Sequence, residues 1–232
     1  MRRNLLGVKA LTFDCYGTLI DWETGILGAL RPLLESHGVR MTDDAILELY
    51  AKIEFDAECG MYMPYRDILK RAVDKFGERC GFVPSPEERL CLLNSLRNWL
   101  PFPDTVGALG RLRKKFKLYV VSNIDDVLFQ YSARQLVVRF DAVVTAEQVQ
   151  SYKPSLNNFR RVLDRIEEPP ARILHVAQSL YHDIVPAHTL GLCTVWVNRR
   201  KGKRGQGAVV AGEAKPDIEV PDLATLADLL IA

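Results

Sequence analysis

No apolar run in this chain approaches the ~18 residues that a membrane span requires, so a transmembrane segment is not expected. The amino-terminal segment, Met1 to Gly7, has two arginines but no long apolar core of the kind a secretory leader carries, and the cytoplasm is the expected compartment. Strong charge of one sign is missing as well. A formal net charge of +2 gives no field for nucleic acid, so no such partner is expected. One local basic run, Arg199, Arg200, Lys201, Lys203 and Arg204, is interleaved with glycines and reads as a solvated loop. Cysteine is sparse and unpatterned. There are five, an odd number, with no Cys-x-x-Cys pair, which excludes a disulfide framework and a zinc site by spacing and leaves buried free thiols as the expectation for most. Internal repeats and low-complexity segments are also absent.

What is present is the balance of a globular enzyme, 48% hydrophobic and 26% charged over 232 residues, enough for one large domain with an insertion. Apolar, β-rich runs recur at Val8–Phe13, Leu118–Ser122, Ala142–Thr145, Ile173–Ala177, Cys193–Val197 and Ile218–Val220. Helical patterns separate the later ones: Leu128, Tyr131, Gln135 and Leu136 follow Asp125 and Asp126, and Phe159, Val162, Leu163 and Ile166 form another stripe. Ala224 to Leu230 closes the chain as a short helix. Strands alternating with helices predict an α/β fold, a doubly wound, Rossmann-like parallel sheet. The interval between the first two strands breaks the rhythm. It holds helix-like periodicity before Gly38, over Ile46–Ile53, over Ile68–Phe76 and over Leu90–Leu100, and no clear strand. We therefore expect an inserted helical cap domain, residues 21–100, on a core of residues 1–20 and 101–232, with Pro101 to Asp104 as the return hinge.

The chemistry concentrates at the ends of the strands. The first run stops on Asp14, followed by Gly17 and Thr18, which places a carboxylate at a rigid strand end, where ligands of open α/β sheets sit. The second ends on Ser122 and Asn123, donors able to hold an anionic or halide group, or simply a helix cap. After the third comes Lys153-Pro154, an extended lysine at the head of a helix, able to balance charge on Asp14. After the fourth come Gln178, Ser179 and Asp183, the last placed to orient Lys153 or a water. His175 and His182 have neither metal-type nor triad-type spacing and read as structural. Cys15, beside the nucleophile, points to the opposite face and reads as a packed thiol.

Asp-x-x-Gly-Thr, a Ser strand end, Lys-Pro and an acidic loop, in this order along the whole chain, resemble the haloacid dehalogenase superfamily. Two positions separate its chemistries. Its phosphatases carry a second aspartate two residues after the nucleophile and a magnesium-binding aspartate in the fourth loop. Here these positions are Tyr16 and Gln178, and the segment is similar to the L-2-haloacid dehalogenase branch, which works without metal or cofactor. The resemblance implies catalysis by Asp14, Thr18, Lys153 and Asp183, with Tyr16, Ser122, Asn123, Gln178 and Ser179 at a small 2-halocarboxylate. Aspartyl attack on carbon 2 is followed by hydrolysis of the ester. The family's cap arginine is missing from Leu49–Ile53, a family tyrosine is Phe159 and a family asparagine is Leu180. Backbone amides at Cys15, Tyr16 and Asn123 and the guanidinium of Arg66 are the expected substitutes for the arginine, with a pairing of Arg66 to Glu54 or Asp67 as the alternative. A phosphatase with a degraded magnesium site and a non-catalytic binding protein on the same scaffold are the competing readings. The only further partner considered is a second copy in a homodimer.

Overall fold

The computed structural model describes residues 5–203 and 205–231; Met1 to Asn4, Arg204 of the basic run and Ala232 lie outside the described residues. Six strands form one sheet: β1 (Ala10–Phe13), β2 (Lys117–Ser122), β3 (Ala142–Thr145), β4 (Ile173–Ala177), β5 (Cys193–Val197) and β6 (Ile218–Val220). They are all parallel, in the order β3-β2-β1-β4-β5-β6. β1 and β4 are buried along their whole length, as a sheet covered on both faces requires. The order of strand addition reverses between β1 and β4, and the crevice at the carboxyl ends of such neighbours is where this class of sheet holds ligands.

Between β1 and β2 the chain is helical. The three long helices are α1 (Trp22–Ser36), α2 (Asp43–Glu58) and α3 (Tyr65–Cys80). The stretch expected as one helix over 90–100 is instead broken into 3-10 turns flanking the five-residue α4 (Cys91–Ser95). Asp21 and Thr42 cap α1 and α2 through their side chains, accepting from Thr24 N and Ala45 N. α3 opens after Pro64 and has no cap of its own. Its free amides at Tyr65 and Arg66 are taken instead by the Asp125 carboxylate, at 2.7 and 3.0 Å. That buried residue precedes α5 (Asp126–Leu136), so one side chain ties the insertion to the sheet. Where the insertion leaves and rejoins the sheet the two crossings pair: Asp21 N donates to Leu100 O and Phe102 N to Leu19 O.

The basic run differs from the solvated loop expected of it. Arg199 is 7% exposed, stacks over Phe102 and donates to Thr18 O and Asp104; Arg200, 12% exposed, reaches Glu23 and Asp44 on the helical insertion. Burying their stems and pairing both heads costs less than leaving Glu23 and Asp104 partly buried without a cation. Lys201 and Lys203 are exposed. No disulfide joins these cysteines among the described residues: Cys15 and Cys193 are buried, Cys80 and Cys91 partly so, and Cys59 is exposed. Among the described residues no helix is long and apolar enough to cross a membrane.

Candidate active site

Asp14 follows β1 directly and is 6% exposed. Gly17, at φ 86°, turns the chain back in a conformation that favours glycine, and a Cβ there would meet the Trp22 indole at 2.9 Å. The turn returns the Thr18 hydroxyl to the carboxylate, to which it donates at 2.6 Å while accepting from Gln178 N at 2.9 Å. Lys153 lies on the loop ahead of α6 (Leu156–Leu163) and is 2% exposed. Its ammonium donates to Asp14 at 2.8 Å, to Asp183 at 2.7 Å and to Val121 O at 3.2 Å. All three of its protons are therefore committed.

Asp183 sits in a single π-helical turn, Leu180–Ile184, behind β4. Register explains its second partner. Thr12 and His175 are paired across β1 and β4, their side chains bonded at 2.9 Å, and the other ring nitrogen of His175 lies 3.2 Å from Asp183. A buried polar line thus runs Thr12, His175, Asp183, Lys153, Asp14, Thr18. Burial raises the carboxyl of Asp183, but Lys153 and His175 outweigh it and hold the group below the usual range. At Asp14 burial wins over Lys153, with the Asp183 charge adding to it, and the group is pushed up. Lys153, between two carboxylates, is raised in spite of its burial.

Asp14 opens onto a small cavity between the strand ends and the helical insertion. Tyr16, Ser122, Asn123, Lys153, Ser179 and Asp183 line it from the sheet side. The Tyr16 ring faces it while its hydroxyl is bonded to Ser132 at 2.8 Å. Ser179 holds His182 through both the backbone amide and the ring. The Ser122 hydroxyl is 1% exposed and has no hydrogen-bond partner, an expensive state for a buried donor.

Three expected substrate contacts are not at this cavity. Arg66 lies on the far side of Asp125, with its guanidinium 3.1 Å from that carboxylate and 3.6 Å from Glu147, because Asp125 already anchors the start of α3. Neither Glu54 nor Asp67 is its partner; Glu54 is bonded to tyrosines and Asp67 to Lys70. Cys15, from which only the backbone amide was expected to serve a substrate, is not among the residues lining the cavity, and its thiol packs in the core as expected of alternate side chains in an extended chain. Gln178 acts through its backbone; its side chain packs by Gly17 and lines neighbouring clefts.

In their place the insertion supplies residues that the sequence reading passed over. Glu54 and Glu58, one turn apart on α2, both line the cavity, with Trp22, Tyr65 and His182. Glu54 accepts from Tyr50 at 3.1 Å and Tyr65 at 2.6 Å, and its burial raises it to about 7. Glu58 receives the Asn123 amide on both carboxyl oxygens, each at 3.1 Å. Burial first, and then the Glu54 carboxyl, push Glu58 well above the carboxylate range. His182, buried beside them, is lowered to about 4 and stays neutral. The available signal was two glutamates at helical spacing on a face otherwise filled by Ile46, Tyr50 and Ile53.

Magnesium, which the resemblance brings for phosphatases, finds no fitting donor set. Asp14 and Asp183 are both bonded to the Lys153 ammonium, Gln178 replaces the third carboxylate, and no group of three or more His, Cys, Asp or Glu among the described residues is arranged to hold a metal.

A family model described as haloacid dehalogenase-like hydrolase matches residues 8–191. Among proteins of known activity, (S)-2-haloacid dehalogenase 1 of Pseudomonas sp. (strain CBS-3) is 24% identical over 200 residues, 83% of this chain and 85% of the relative. Glyceraldehyde 3-phosphate phosphatase of Methanothermobacter thermautotrophicus is 26% identical over 204 residues, 82% and 86% of the two chains. The crystal structure of a defluorinating L-2-haloacid dehalogenase superposes with a TM-score of 0.81 at 22% identity, covering 100% of this chain and 99% of that one. That likeness is one of fold.

Proposed function

Because the chain belongs to the haloacid dehalogenase-like hydrolase family, we propose that it is a metal-independent hydrolytic dehalogenase acting at carbon 2 of small 2-haloacids through an ester on Asp14. The observation that carries the reading is the charge balance around Asp14. Its two oxygens are held by Thr18 and by an ammonium whose other carboxylate partner is Asp183, so the nucleophile is fixed and compensated by the protein's own cation.

In the first step an Asp14 oxygen bonds to carbon 2 as the carbon–halogen bond breaks. Halide leaves with the bonding pair, and the centre inverts. Water then adds to the aspartyl carbonyl carbon, returns one solvent oxygen to Asp14 and releases a 2-hydroxy product and a proton. Thr18 and Lys153 hold the nucleophile in both steps, and Asp183 keeps Lys153 in place. Residues 21–100 act as a cap that excludes bulk water from the ester, which matters because a halide displacement is strongest when the nucleophile is poorly hydrated. Tyr16 stands where a phosphatase of this superfamily keeps its acid, so a leaving alcohol has no proton donor at that position.

The test is a panel of 2-halo compounds and phosphate esters, each with a strong chelator and with added magnesium. Halide release undiminished by chelator is expected. Phosphate release that depends on magnesium supports the phosphatase reading instead.

A further inference from the structure

The place where a substrate carboxylate would be received is already filled by one of the protein's own. Asn123, the amide donor at the end of β2, gives its side-chain hydrogens to Glu58 Oε1 and Oε2 and to the Lys153 carbonyl, 3.1, 3.1 and 3.2 Å away. Glu58 has a side chain only 6% exposed and reaches the cavity from α2. Lys153 is the only lysine or arginine lining the cavity among the described residues, and its three protons go to Asp14, Asp183 and Val121. Arg66 is held outside by Asp125 and Glu147. An incoming carboxylate therefore meets no uncommitted cation and two buried glutamates, Glu54 and Glu58. Burying an anion so placed is costly.

One polar group is left over, and it points to what does fit. The Ser122 hydroxyl is buried, faces the cavity and has no partner. A partnerless hydroxyl and a carboxyl acceptor lining one small cavity match a primary carboxamide, whose carbonyl would accept from Ser122 while its nitrogen donates to Glu58. A carboxamide also keeps a carbonyl next to carbon 2, so the halide remains activated for displacement by Asp14.

We propose that Glu58 sets the substrate class of this site: its carboxyl occupies the position at which a substrate carboxylate would meet Asn123, so the site takes 2-halocarboxamides in preference to free 2-haloacids. This rests on the Asp14 ester chemistry proposed above and moves the preferred substrate from the free acids to their neutral amides.

The test pairs 2-chloropropionamide with 2-chloropropionate as substrates, and propionamide with propionate as unreactive probes titrated by calorimetry. The wild-type protein is expected to turn over the amide with a kcat/KM at least tenfold that of the acid, and to bind propionamide at least tenfold more tightly than propionate. Glu58→Ala, which vacates the position beside Asn123, should lower the amide-to-acid ratio by tenfold or more, chiefly by improving the acid. Equal or tighter binding of propionate by the wild-type protein overturns the proposal without any variant. Mass spectrometry of the Asp14 peptide separates the two levels. An ester formed from the acid at least as readily as from the amide leaves the Asp14 reading standing and overturns this inference. No ester from either compound overturns both.

Discussion

The two walls of the cavity are built on opposite principles. On the sheet side the two carboxylates, Asp14 and Asp183, share the Lys153 ammonium, and His175 and Thr12 hold the far end of the line. On the helical side two carboxyls face each other across one turn of α2, held by hydroxyl and amide donors, with the His182 ring 3.8 Å from Glu58 and no lysine or arginine beside them. A nearby cation favours the charged form of a buried carboxyl, and burial without one favours the proton. The sheet side is thus suited to a permanent nucleophile, whereas the helical side changes its charge near neutrality.

Removing the shared cation should have the largest effect. Lys153→Met leaves Asp14 and Asp183 buried without a counter-charge, and denaturant unfolding at pH 7 should show a loss of about 3–5 kcal/mol, recovered in part as the pH falls and the carboxyls take up protons. A loss under 1 kcal/mol would mean that the sheet side is not held by charge pairing.

Glu54 tests the other wall. Its folded pKa, about 7, lies above the ordinary 4.5, so the fold binds that proton more tightly than the unfolded chain does. The associated stability is complete below pH 4.5 and is lost as the pH rises through about 7. Glu54→Gln should therefore match the wild-type protein at pH 4.5 and exceed it at pH 8, by on the order of 3 kcal/mol. A gain that does not vary with pH would break the contrast between the walls.

The tie between the walls should be worth less. Asp125→Ala removes the acceptor for the first two amides of α3, and a stability loss of about 1–2 kcal/mol is expected from uncapping. Arg66→Met should have the smallest effect. Its guanidinium is outside the cavity, so KM should change by less than about twofold, well below the tenfold that 1.4 kcal/mol of lost contact represents. A larger rise would return Arg66 to the substrate.

The same contrast explains what was legible beforehand. All six strands, and Asp14, Thr18, Lys153 and Asp183 at their ends, follow from short local signals: an apolar run, a turn, a polar group at a fixed offset. In a parallel sheet those ends converge whatever the loops do. The helical side has no such rule. Glu54 and Glu58 reach the cavity only because α2 packs with one face toward the sheet, and that orientation depends on contacts far apart in sequence, such as Asp125 on the start of α3. Arg66 was misplaced for the same reason, since its partner is 59 positions away. Composition suggested that Arg199 and Arg200 were solvated, whereas their acidic partners, Asp104, Glu23 and Asp44, come from distant segments.

The central claim is that Asp14 forms the ester, and a single turnover in heavy-oxygen water tests it most directly. With enzyme in excess over a 2-halo substrate, the account predicts one heavy oxygen in the Asp14 carboxylate and none in the 2-hydroxy product. Heavy oxygen appearing in the product of that first turnover, with Asp14 unlabelled, would mean that water attacks carbon 2 directly and would contradict the account.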